Sequence, residues 1–116
     1  MAILVNKKNN QVILNNVRIA DSSWQRFVGL MGKPSLPKGD GLLLRPCNSI
    51  HCFFMKFPID VAFVDKDDRV VRIITAMKPG HISPIVWKSA YVIESNQNTL
   101  EQNLRVGDTV KLLQLY

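Results

Sequence analysis

The stretch S-I-H-C-F-F-M-K-F-P-I-D-V-A-F-V-D, residues 49–65, decides how the chain is read. Residues 50–55 are apolar except at His51 and lack period-two alternation, the pattern of a strand covered on both faces. In a strand, Ile50, Cys52 and Phe54 share one face and His51, Phe53 and Met55 the other. Pro58 removes a backbone donor and disfavours helix at Phe57, so a turn or bulge is expected there. Residues 59–64 resume as a second apolar strand, and Asp65-Lys66-Asp67-Asp68 forms a polar turn.

On the N-terminal side, residues 2–5 and 12–19 are rich in Ile, Leu and Val, with N-K-K-N-N-Q between them. That pattern predicts an antiparallel hairpin. Asp21-Ser22 offers an N-cap, and Ser22 with Gln25 has capping-box spacing. Trp24, Phe27, Val28 and Met31 then mark the apolar face of one short helix, which places Trp24 in the core. Gly29 inside that helix points to close packing on the sheet, and Gly32 is the expected stop. Residues 33–40 are a loop, and 41–44 a short strand ending at Arg45-Pro46.

On the C-terminal side, residues 69–76 are β-branched and should pair antiparallel with the strand before the turn. Residues 77–88 read as a long exposed loop carrying Trp87. A strand at 91–94, a polar stretch with room for one helical turn, a tight turn at 105–108 and a last strand at 109–115 complete the chain. Many short strands with one short helix predict a single mainly β, barrel-like domain over 1–116, its sheet antiparallel or mixed.

Hydrophobic residues are 47% and charged residues 21% of the 116, the balance of a soluble globular domain. No run approaches the roughly 18 apolar residues of a membrane span. Apolar residues precede Lys7-Lys8, the reverse of a secretory leader, so a cytoplasmic location is expected. Cys47 and Cys52 are expected to be reduced and unpaired. The formal net charge is +6, but the cations are dispersed without a block or a recognised nucleic-acid motif. A solvated basic surface is therefore expected, and nucleic acid is not an expected partner.

G-L-M at 29–31, G-L-L-L at 41–44, the 49–65 stretch and G-D at 107–108 occur in that order. Together, from about Ala20 to the end, they resemble the prokaryotic domain of unknown function number 192. The resemblance implies a β-barrel-like domain and no established reaction. The family pattern tends to place a basic residue after the motif methionine, where Lys56 stands. One common form continues with Asn-Thr, but Phe57-Pro58 stands here, so no role of that amide carries over. Relatives often have a glycine after the V-I-E strand where this chain has Asn98, a residue that tolerates a left-handed turn.

Asp60 lies in an apolar run and must find a cation, backbone donors or a raised pKa. It can be a general base or ligand anchor, although hydrogen bonding at the corner after Pro58 is the preferred reading. His51 adjoins Cys52, but neighbouring strand residues face opposite ways, which argues against a Cys/His pair. His51 with His81 or Asp60 lacks recognised metal-ligand spacing, so neither a metal nor another cofactor is expected. Glu94 is a second buried-carboxylate candidate, for acid–base work with Asp60 or for an ion pair with Arg26, Lys56 or Arg72. Phe53, Met55, Lys56 and Trp87 are the expected lining of a ligand groove.

The leading expectation is a module binding a small molecule or a partner segment, as a monomer or homodimer. The alternative is a small hydrolase-like enzyme using Asp60, Glu94 or His51. A nucleic-acid accessory protein is the weaker third.

Overall fold

A computed structural model describes residues 2–114. The hairpin forms as expected from β1 (Ala2–Asn6) and β2 (Gln11–Ala20), which pair antiparallel. Its turn is held by side chains: Asn6 Oδ1 accepts from the Lys8 amide and Asn9 Oδ1 from the Gln11 amide. Asn10 takes a left-handed φ of 58°, which asparagine tolerates better than most residues.

Five further strands follow: β3 (Asp40–Leu44), β4 (Ile59–Val64), β5 (Val70–Met77), β6 (Tyr91–Asn96) and β7 (Val110–Gln114). They form one mixed sheet in the order β5-β4-β6-β3-β2-β1-β7. Only β2 and β3 run parallel; the other neighbours are antiparallel. The edge strands meet at one end, where the Val70 amide donates to the Asp108 carbonyl and the Gly107 amide to Val70. The result is a curled half-barrel, in agreement with the mainly β expectation.

Both faces of its central strands are apolar. Every residue of β4 is buried, so the two-faced pattern sought in residues 50–55 belongs to the next segment. Inside the curl, Leu14, Leu43, Ala62, Val64, Ile93 and Val110 form one cluster. It is plugged by Leu100 of a second short helix, α2 (Leu100–Asn103). Among the described residues there are thus two short helices, the second in the polar stretch that had room for one helical turn. Outside, Leu42, Leu44, Val61, Phe63 and Val92 form a second cluster, covered by Leu30, Ile50, Cys52 and Met55.

That cover is where the structure departs from the sequence reading. Residues 50–55 belong to a looped strap that starts at Pro46 and are not a strand: only His51 among them makes a β-bridge, to Ile82. The Met55 amide donates back to Cys52, and Phe54 takes φ 60°. This reversal buries Ile50, Cys52 and Met55 while Phe53 and Phe54 point out. Both Cys47 and Cys52 are free.

The first helix, α1 (Ser23–Val28), has the expected capping box between Ser22 and Gln25. It stops at Gly29, before Gly32, and Met31 falls outside it. Gly29 has φ 48°, and a Cβ there would meet only ordinary contacts. Conformation, not tight packing, is what needs glycine at this position. No residue of α1 is buried, and Trp24 is 72% exposed rather than part of the core.

Asp60 is fully buried on the inner face and is satisfied. Oδ1 accepts the Ala76 amide at 2.9 Å; Oδ2 accepts the Thr99 and Leu100 amides at 2.9 and 3.1 Å. The carboxylate therefore caps α2, whose Thr99 provides no side-chain cap, and ties it to β4 and β5. Asp60→Asn turns an amide N–H₂ toward backbone donors. We expect it to cost about 2–3 kcal/mol in urea unfolding; an unchanged midpoint would refute this structural role.

Candidate functional site

A cavity of about 290 Å³ lies beneath the cover on the outer face, with room for about ten waters at liquid density. Arg26 to Met31, from α1 and the turn after it, make one wall. The strap from Pro46 to His51, with Met55, makes the other, and Leu44 and Glu94 complete the lining. The strap is held from behind by the loop at 78–90. The Cys52 amide donates to His81, Ser83 to Ile50 and Val86 to Asn48, all at 2.8–2.9 Å. In front, the Gly32 amide donates to Phe54 at 3.1 Å.

Glu94 is the polar group that strand parity brings here. In β6 it pairs with Leu42 of β3 and Val61 of β4, and it shares the outer face with Val92. It is 2% exposed, and its Oε1 has no hydrogen-bond partner. The expected ion pair with Arg26, Lys56 or Arg72 is not what holds it. Arg26 also lines the cavity, but its Nη1 donates to the Asp21 and Arg45 carbonyls at 2.9 and 3.3 Å, lacing α1 to the end of β3. Burial alone pushes the Glu94 carboxyl up to about 8, so at neutral pH the cavity holds a carboxylic acid.

The thiols nearby are not activated. Burial, and then the Glu94 carboxylate, push Cys52 up to about 12. Burial likewise raises Cys47, whose thiol donates to the Ser49 carbonyl at 3.1 Å. Neither matches the low-pKa environment of a nucleophilic cysteine. His51 lines the cavity with both ring nitrogens engaged. Nδ1 accepts the Phe53 amide at 3.2 Å, which leaves the proton on Nε2, 3.1 Å from the Phe27 carbonyl. Its ring stacks on Phe53, with centroids 5.0 Å apart, and lies tilted against Phe27 at 5.5 Å.

The candidate residues are thus divided. Glu94, His51 and Met55 come together in the cavity. Phe53, Lys56 and Trp87 are exposed and outside its lining, and Trp87 sits on the loop behind the strap. Asp60 is excluded by register: it pairs with Ser95, one residue from Glu94, so the two carboxylates face opposite sides of the sheet. That arrangement rules out an Asp60–Glu94 acid–base pair. Among the described residues no group of three His, Cys, Asp or Glu side chains is placed to hold a metal ion. The sequence reading missed Arg26, Asn48 and Ser49 as lining residues. Pro46, which ends β3 and starts the strap, was the available signal.

Fold and site together define a small half-barrel with a ligand-sized cavity between its sheet and a looped cover. The family model for the domain of unknown function 192, described as Uncharacterized ACR, matches residues 3–112. The chain belongs to this family. UPF0127 protein PH1112 of Pyrococcus horikoshii is 35% identical, over 94% of this chain and 97% of its own. A UPF0127 protein of Thermococcus sibiricus is 33% identical, over 93% of this chain and 73% of its own. The crystal structure of a protein of unknown function from Novosphingobium aromaticivorans superposes with a TM-score of 0.81 at 21% identity. It matches 95% of this chain and 82% of that one. At that identity the likeness concerns the fold.

Glu94 makes stability depend on pH. Its ordinary value is 4.5 and its folded value about 8, so between them the folded protein keeps a proton the unfolded chain has released. The stabilisation is fully present below 4.5 and is lost as pH rises through 8. In urea unfolding, Glu94→Gln is expected to flatten the decline between those limits. Glu94→Leu, free of an unpartnered polar group, should gain about 1–3 kcal/mol at the alkaline end. Wild-type and Gln curves that run parallel would contradict this.

Proposed function

We propose that the protein is a small-molecule-binding module whose ligand occupies the cavity with the Glu94 carboxyl as its polar anchor. One observation carries the reading: a buried carboxyl oxygen without a hydrogen-bond partner, in the wall of a cavity lined by both apolar and polar side chains. Leaving such a group unsatisfied costs about 1–3 kcal/mol, whereas a ligand bearing a complementary donor and acceptor relieves it. Ligand pockets commonly combine apolar walls with a few polar groups of this kind. The volume suits a small metabolite and not a folded partner segment. The setting supposed is a cytoplasmic protein, monomeric or homodimeric.

Acid–base catalysis by Glu94 is the second reading, favoured by its retention of a proton at neutral pH. Binding remains the stronger of the two, because the neighbouring thiols are not activated and both His51 nitrogens are engaged.

A thermal-shift screen of small amides, amines and carboxylic acids on wild type and Glu94→Leu separates the outcomes. Binding at this anchor predicts compounds that raise the wild-type melting temperature and leave the variant unmoved. Equal shifts in both proteins would remove Glu94 from the site. Turnover of a stabilising compound, abolished in Glu94→Gln, would move the assignment to catalysis.

A further inference from the structure

Three segments lie side by side over the outer face: 22–36, 45–57 and 78–90. Together they contain no Asp, and no Glu. The first carries Arg26 and Lys33, the second Arg45 and Lys56, the third Lys78 and Lys88. The nearest carboxylates in sequence, Asp21 and Asp40, stand at the margins, and Glu94 is buried beneath. The cations look dispersed along the chain because the chain visits this layer three times.

The same layer gathers exposed apolar side chains. Nine large hydrophobic residues are exposed among those described, and all but Val12 and Val106 belong to these segments. Trp24 and Phe27 come from α1, Phe53 and Phe54 from the strap, and Ile82, Ile85 and Trp87 from the loop behind it. Trp87 is 81% exposed and Phe54 77%. Phe54 also holds φ 60°, a conformation bulky residues rarely adopt, and it presents its ring to solvent. Clustered exposure of this kind marks an interaction surface, unlike single apolar residues scattered over a protein.

We propose that this layer is a docking surface for an anionic lipid bilayer. Charge complementarity selects the occupant: a carboxylate-free basic face is attracted to acidic headgroups. The apolar tips partition into the headgroup–acyl boundary, where Trp is favoured. Single-stranded nucleic acid fits the details less well. Trp24 stacks on Phe27 and His51 on Phe53, with centroids 6.1 and 5.0 Å apart, and Phe27 is tilted against His51 at 5.5 Å, so their faces are partly used. Ile82 and Ile85 bury in hydrocarbon but offer bases no ring to stack on.

Vesicle flotation with the full chain tests the proposal, because both tryptophans lie in this layer and report on it. Wild type should float with an equimolar mixture of phosphatidylcholine and phosphatidylserine but not with phosphatidylcholine alone. Its tryptophan emission should shift to the blue, and added salt should weaken binding. Phe54→Ser and Trp87→Ser should each lower partitioning by about tenfold, and Lys56→Glu or Lys88→Glu by about fivefold or more. Thermal melting of each variant confirms that these surface changes leave the fold intact. Failure to float with the anionic mixture at low salt overturns the proposal, as does binding indifferent to Phe54→Ser and Trp87→Ser. Salt-sensitive binding to oligo-deoxythymidine in place of vesicles, lost in the same variants, would replace the bilayer with single-stranded nucleic acid.

Discussion

Three adjacent strands, β3, β6 and β4, are apolar on both faces, and the rest of the molecule answers the need to cover them. Inside, the sheet curls until β5 and β7 meet at one end and α2 fills the interior. Outside, the described residues form no second sheet and no long helix. The cover is built from three irregular segments that pack their few buried side chains downward: Leu30 from one, Ile50, Cys52 and Met55 from the next, Ser83 from the third. Irregular backbone can cover a core only if its own polar groups are paired. Here the strap donates to and accepts from the segments on either side of it.

Two carboxyl groups in this sheet are almost equally buried and have opposite fates. Asp60 faces inward and meets three backbone N–H groups, so its carboxyl oxygens complete the capping of α2. Glu94, one ladder position away on the other face, borders a cavity and lies near enough to two thiols for its charge to act on them. Burial therefore does not by itself distinguish structural from functional polar residues. The difference lies in whether the fold supplies partners. A buried group for which it does not lowers stability, and such groups concentrate where a protein uses them.

The irregular cover also explains the character of the outer surface. Loops that spend their apolar residues on the core normally expose polar ones, yet these loops carry apolar side chains on both sides. Ile50 and Met55 are buried while Phe53 and Phe54, between them in sequence, are exposed. The left-handed Phe54 backbone is what separates the two sets.

The sequence by itself determined the hairpin, the capping box of α1, the strand 59–64 and its antiparallel partner, the mainly β class and the family. Each depends on local signals: turn-forming asparagines, Ser22 and Gln25 at fixed spacing, unbroken apolar runs. It also singled out Glu94, His51 and Met55, though not their meeting. Tertiary structure decided the rest. Residues 50–55 have the composition of a two-faced strand, but a continuous apolar run does not specify whether its backbone pairs or loops, and Phe54 turned it into a strap. Trp24 and Phe27 have core spacing, yet a helix of six residues on the sheet's rim has no core to reach. The opposition of Asp60 and Glu94 rests on strand register. The acid-free basic face rests on three segments distant in sequence. Both are relations between segments, set by packing, and local pattern carries no record of them.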